Sequence, residues 1–131
     1  MPRTKSHSIS EPAEFARVGL VAFFRIAEAW SLDTEQQMVL LGKPRRTTFI
    51  KWKKNEAKKL PADTIERISY LLGIYKALHV LFANEAQADS WVNRDNTAPI
   101  FAGKNAIEYM LHGKMINLFE VRRYLDTQNY N

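Results

Sequence analysis

The amino-acid sequence predicts an all-α protein. Apolar residues recur every three or four positions through each long stretch, sustained alternation of apolar and polar residues is missing, and glycine, proline and asparagine mark the intervals between stretches. Nothing therefore reads as a strand. At 131 residues, 46% hydrophobic and 25% charged, the chain has room for one domain or two small lobes around an ordinary core. It has no cysteine, which excludes a disulfide framework, a zinc ribbon and a thiol nucleophile. The three histidines, His7, His79 and His112, stand far apart in sequence, so no metal centre is expected.

The first helix is expected from Pro12 to Ala29, with Ser10, Glu11 and Pro12 suited to its start and residues 1–11 a flexible N-terminus. Its apolar positions are Phe15, Val18, Ala22 and Ile26, joined by Leu20, Phe23, Phe24 and Ala27. Trp30 to Leu32 break the pattern, and Asp33 with Gln36 has the form of an N-cap with its capping-box partner, opening a short helix to Leu41. Gly42 is placed to end that helix in a left-handed turn. After Lys43 and Pro44 comes a third helix, in which Phe49 and Trp52, with Ile50 alongside, form an apolar stripe while Thr47, Lys51, Lys54 and Lys58 face the other way.

Asp63 is expected to cap the longest periodic run: Ile65, Ile68, Leu71, Leu72, Tyr75, Leu78, Leu81 and Phe82. That spacing predicts a helix of about 20 residues, roughly 30 Å at about 1.5 Å per residue. Gly73 inside it costs about 1 kcal/mol relative to alanine, which points to a close helix contact or a slight bend. A short helix follows over Glu85–Val92, then a loop carrying Asn93, Asn96, Pro99 and Gly103. Two more short helices complete the chain, one from Asn105 to Leu111 ending at Gly113, the other from Asn117 to about Gln128 with Leu118, Val121 and Leu125 on one side.

Charge is distributed unevenly. Lys43 to Lys59 holds eight basic residues and one acid, Glu56, giving +7, while the rest of the chain has 11 basic against 13 acidic residues. Phosphate attraction adds over nearby charges, so a local basic segment suffices for a nucleic-acid footprint. A short helix, a glycine turn and a basic helix with one apolar face form a helix-turn-helix, whose second helix has the diameter to enter a major groove. Arg45, Arg46, Thr47, Thr48 and Lys51 are placed nearest the bases, and Lys53, Lys54, Lys58 and Lys59 on phosphates. One such unit binds weakly, which makes a homodimer on paired half-sites the expected form, with the helix from Asp63 as pairing surface.

No nucleophile with a base, carboxylate pair or phosphate-cradling glycine loop stands out, so catalytic residues and cofactors are not expected. Glu108 and His112 form an i, i+4 pair on one short helix, which reads as a surface hydrogen bond more readily than a metal site. Residues Met1 to Ser10 lack a signal core, and Tyr70 to Ala83 is too short to span a bilayer and carries Lys76. A cytoplasmic protein without membrane contact is expected.

Several segments resemble one family: FFRIAEAW from Phe23, LLGKPRRTTFIKW from Leu40, DTIERISYLLGIYKALHVLF from Asp63, SWVNRDN from Ser90, PIFAG from Pro99, YMLHG from Tyr109 and VRRYLD from Val121. Together they resemble the Xre/MbcA/ParS antitoxins. The resemblance implies an all-helical protein with an Xre-like helix-turn-helix (residues 12–84) that represses its own operon by binding operator DNA, followed by a small helical toxin-binding domain (residues 85–131). It also implies homodimers and a RES-domain toxin that consumes NAD⁺, whose active site the antitoxin covers. By position, Trp91, Asn93, Asn96, Pro99, Phe101 and Gly103 match the motif of the toxin-binding domain. Arg122, Arg123, Tyr124, Leu125 and Asp126 match the terminal helix nearest the toxin pocket. On this reading Arg122, Arg123, Asp126, Tyr130 and the terminal carboxylate point outward toward a site built for an anionic dinucleotide. The alternative is a free-standing helix-turn-helix regulator whose C-terminal part dimerises or senses a ligand.

Overall fold

The computed structural model describes residues 2–129, with side chains from residue 13 onward. Among these residues there are seven α-helices and no strand: α1 (Pro2–Ala29), α2 (Thr34–Leu40), α3 (Arg46–Lys53), α4 (Ala62–Leu81), α5 (Glu85–Ser90), α6 (Ala106–Met110) and α7 (Met115–Asn129). A single 3₁₀ turn, Trp91–Asn93, follows α5, so the expected Glu85–Val92 helix tightens over its last turn. No helix is long and apolar enough to cross a membrane.

The start expected at Ser10–Pro12 falls inside α1, whose first residue is Pro2, a position where the missing N–H of proline has no helical partner to lose. The expected apolar positions of α1 divide: Leu20, Phe23, Ile26 and Ala27 face the core, and Phe15 and Val18 do not. Ala16, Leu20, Phe23, Ala27 and Trp30 are almost fully buried, whereas Phe15 is 39% and Val18 70% exposed. Both sets obey helical spacing, and α4 covers only one of them.

Helix α2 starts as expected. Asp33 Oδ1 accepts from the Gln36 amide at 2.8 Å, and Gln36 Oε1 accepts from the Asp33 amide at 2.9 Å, which closes the capping box. Gly42 takes φ +99°, the left-handed turn its position predicts. The cap of α4, in contrast, is Pro61 rather than Asp63. Proline pre-sets the backbone leading into the helix, and the Asp63 carboxylate is engaged by Arg67 Nε at 2.8 Å one turn on.

Helix α4 is the centre of the molecule. It packs most extensively against α7, then against α1. Ile68, Leu71, Ile74 and Leu78 are fully enclosed, and one continuous core joins them to Leu20 and Phe23 of α1, Phe49 and Trp52 of α3, Met110 of α6, and Leu118, Val121 and Leu125 of α7. The apolar face expected to pair two copies of the chain is therefore covered within one. Helix α7 begins at Met115, two residues before the expected Asn117, because Asn117 turns back and its Oδ1 accepts from the Lys114 amide at 3.2 Å.

Candidate nucleic-acid and protein interfaces

The helix-turn-helix is held from behind by the first two turns of α4. Thr64 Oγ1 donates to the Leu41 carbonyl at 3.0 Å, at the end of α2. Arg67, buried to 8% exposure, donates from Nε to Asp63 and from Nη2 to the Gly113 carbonyl at 2.9 Å. A Cβ at Gly42 would lie 2.8 Å from Asp63 Oδ2 and 3.2 Å from Arg67 Nε. The turn is tight because this half-buried ion pair lies against it, and only glycine satisfies both the contact and the positive φ.

Helix α3 buries Phe49 and Trp52 at 3% and 5% exposure, which leaves Thr47, Ile50, Lys51 and Lys54 on the outer side. Ile50 thus belongs to the exposed face and not to the apolar stripe. A wheel at about 100° per residue already separates it from Trp52 by two steps, some 200°. Lys51 and Lys54 are exposed, as the helix-turn-helix reading requires, and Arg45 at the N-cap is exposed beside them.

The other predicted contacts are placed differently. Arg46 Nη2 is engaged by the carboxylate of Glu35 on α2, an exposed pair. Lys53 is exposed, its Nζ 5.6 Å from the Phe24 ring centroid and 6.0 Å from that of Phe49, within cation–π range of both rings. Thr48 is half-buried. Lys58 does not share the outer face of α3 at all: the helix ends at Lys53, Asn55 turns the chain with φ +62°, and Lys58 and Lys59 are exposed on the link to α4. Glu35 was invisible as a modulator of Arg46 because its helix is separated from Arg46 by the Gly42 turn.

In the second half, the matched aromatic residues pack on one another. Phe101 is buried, with Trp91, Tyr109 and Tyr124 around it at centroid separations of 5.8, 5.9 and 5.5 Å, each edge to face. Trp91 and Tyr124 also stack at 6.3 Å, and both are half-buried. The loop between the 3₁₀ turn and α6 is closed on itself. The Asn96 amide donates to the Lys104 carbonyl, the Gly103 amide donates to the Asn96 carbonyl, and Asn96 Oδ1 accepts from the Ala98 amide at 2.8 Å. Gly103 takes φ +83° there. Asn93 Nδ2 donates to the Trp30 carbonyl at 3.0 Å, fastening the 3₁₀ turn to the end of α1. These asparagines shape the loop.

The two arginines of α7 diverge. Arg123 is exposed, beside a small cleft of about 210 Å³ lined by Ile100, Glu120, Tyr124 and Thr127. Arg122 lies over α4. A Cβ on Gly73 would stand 1.7 Å from its Nη1 and 2.4 Å from its Cζ, so the guanidinium occupies the notch that the missing side chain leaves. Asp126 accepts from Arg122 Nε at 3.1 Å and holds it there. The close helix contact that Gly73 predicts is this one, and it lays Arg122 along α4 while the Arg122–Asp126 pair stays partly exposed. Tyr130 lies outside the described residues. Glu108 and His112 are both exposed.

Tyr109 donates its hydroxyl to the Glu120 carboxylate, which links α6 to α7. That bond and burial raise its phenol above the ordinary tyrosine range.

Residues 12–73, which span the helix-turn-helix and much of α4, match the family described as the antitoxin Xre-like helix-turn-helix domain. An uncharacterized protein of Sinorhizobium fredii (strain NBRC 101917 / NGR234), y4oB, is 48% identical over 123 residues, a match that takes in 94% of this chain and 89% of that protein. No solved structure matches. The family match over residues 12–73 and the helix-turn-helix geometry lead to one conclusion: through its helix-turn-helix domain the chain belongs to the Xre-like antitoxin family.

Proposed function

We propose that this chain is the non-enzymatic antitoxin of a RES-domain toxin and the repressor of its own operon, acting in the cytoplasm as a homodimer. The observation that carries the DNA half is the outer side of α3, where Arg45, Thr47, Lys51 and Lys54 stand clear of the core while Phe49 and Trp52 fix the helix from within. Arg45, Thr47 and Lys51 reach base edges; Lys54, Lys58 and Lys59 supply phosphate charge beside them, and Arg46 joins when Glu35 lets go.

The toxin half rests on the resemblance of residues 85–131. Its contact surface is the solvent side of Trp91 and Tyr124, with Arg123 and the tail beyond it, while Phe101, Asn93, Asn96, Gly103, Arg122 and Asp126 keep that surface in shape. A cationic, aromatic-rimmed end suits a cavity that accommodates an anionic dinucleotide. Pairing of two copies uses the apolar side of α1, where Phe15, Val18 and Val21 are exposed beside a groove of about 570 Å³ that also includes Leu72 and Tyr75.

Two measurements test the reading. Replacing Arg45 and Lys51 by alanine weakens operator binding by about 1 to 3 kcal/mol for each base-reading residue, and Lys54→Ala lowers the salt dependence by about one phosphate contact. Mixing the full chain with the cognate RES toxin stops NAD⁺ loss, and Arg123→Glu relieves that block without altering operator affinity. A tight operator complex with no co-purifying toxin identifies a free-standing regulator instead. Operator affinity unchanged in all three α3 variants rejects the nucleic-acid interface.

A further inference from the structure

The fold assembles one constellation that the distance between histidines in sequence conceals. His79 is in the last turn of α4, Glu85 opens α5 and Asp89 follows one turn later. One ligand atom from each of the three lies within 4.8 Å of the other two. Among the described residues this is the one such grouping.

Three details separate it from an ordinary ion pair. His79 Nδ1 is 2.9 Å from the Tyr75 carbonyl, an acceptor only, so Nδ1 carries the proton and donates, and Nε2 is the nitrogen left beside Asp89. Nε2 is 3.3 Å from Asp89 Oδ1, yet the two are not aligned as a hydrogen bond: both atoms are closed to solvent and neither has a hydrogen-bond partner. Two buried lone-pair donors that converge without bonding one another leave a site that only a positive charge between them satisfies. The third detail is Glu85, which is exposed and supplies a second carboxylate at the open side, leaving room for water to complete a coordination sphere.

We propose that His79 Nε2, Glu85 and Asp89 Oδ1 form a divalent-metal site of the zinc class, bridging the end of α4 to α5. One imidazole and two carboxylates suit Zn²⁺ and its first-row neighbours rather than the all-oxygen preference of Ca²⁺ or Mg²⁺. The carbonyl of Tyr75 orients the imidazole from behind, as a metal-binding histidine requires. The site lies where the helix-turn-helix half gives way to the second half, so a bound ion clips the two together.

The test uses the full-length, tag-free chain, stripped with chelator and titrated with ZnCl₂ in a calorimeter. One equivalent is expected to bind, and Zn²⁺ is expected to raise the thermal midpoint, since the ion binds the folded form alone. His79→Gln and Asp89→Asn each weaken binding by at least about tenfold. Glu85→Gln weakens it too, and because Glu85 is exposed this variant keeps the fold, so loss of the Zn²⁺-induced midpoint rise in it reads the site and not the scaffold. Glu108→Gln with His112→Gln binds like the parent. Absence of Zn²⁺ binding to the parent, or equal binding by the parent and all three site variants, overturns the proposal.

Discussion

The chain contains two Arg–Arg pairs, Arg45–Arg46 before the recognition helix and Arg122–Arg123 in the last helix, and the fold treats them alike in one respect and differently in another. In each pair one arginine meets a carboxylate and the other is exposed: Arg46 meets Glu35, and Arg122 meets Asp126. The Arg46–Glu35 pair stands 59% and 72% exposed on the surface, where water and salt compete with it. Arg122 is seated on the backbone of α4 at Gly73. The first arginine is therefore available to a stronger polyanion, whereas the second is part of how α7 docks. Identical dipeptides differ in availability because what lies beneath them differs.

The largest effect that sharpens this comparison comes from the seat of α7 itself. Leu125 is 1% exposed against α4, so Leu125→Ala costs about 2 to 5 kcal/mol in urea denaturation. Because α4 also pins the helix-turn-helix through the Thr64–Leu41 bond, operator binding at 37 °C falls with it. Retention of full operator affinity in a destabilised Leu125→Ala protein would break the idea that the two ends share one support. Deleting α7 is the wrong instrument, since it uncovers the whole α4 face.

A smaller effect reads the brace between α6 and α7. Tyr109→Phe removes the bond to Glu120 and costs about 1 to 2 kcal/mol near neutral pH. Its sign with pH follows from the raised phenol. The folded state favours protonated Tyr109, so the contribution is fully present below the unfolded value near 10 and disappears as pH rises through the higher folded value. Parent and variant stabilities should therefore run parallel from pH 7 to about 9.5 and converge above it. A gap that persists unchanged above the folded value breaks the assignment.

The smallest effect distinguishes the two arginine pairs directly. Glu35→Gln changes stability by no more than about 0.5 kcal/mol, and strengthens operator binding by freeing Arg46. Asp126→Asn leaves operator binding unchanged and loosens Arg122 from its notch, which hydrogen exchange along α4 and α7 detects. Equal effects of the two substitutions on DNA would place Arg46 off the interface.

Much of this arrangement is legible along the chain. The Asp33–Gln36 box, the turn at Gly42 and the Phe49–Trp52 stripe each depend on residues within four positions of one another, and local geometry fixes them whatever the rest of the molecule does. Gly73 announces a close contact because glycine inside a helix needs a reason. The partner in that contact is 49 positions away, and no local pattern names it. The same limit explains the divided apolar positions of α1, where Phe15 and Val18 keep helical spacing as faithfully as Leu20 and Phe23 but receive no covering helix. It explains Lys53 and Lys58 as well, since net charge says nothing about which aromatic ring or which end of a helix stands beside a lysine.

The sequence by itself determined the helical class, the Asp33 cap, the Gly42 turn, the helix-turn-helix and the concentration of positive charge on it, because periodicity, turn chemistry and charge counts are properties of neighbours. Only the tertiary structure decided which cations are paired, which asparagines serve the loop, that Ile68, Leu71, Ile74 and Leu78 of α4 are covered within one copy, and that His79 meets Glu85 and Asp89. Those outcomes depend on how a helix is rotated and what packs over it, and rotation is set by the summed burial of the whole core rather than by any one segment.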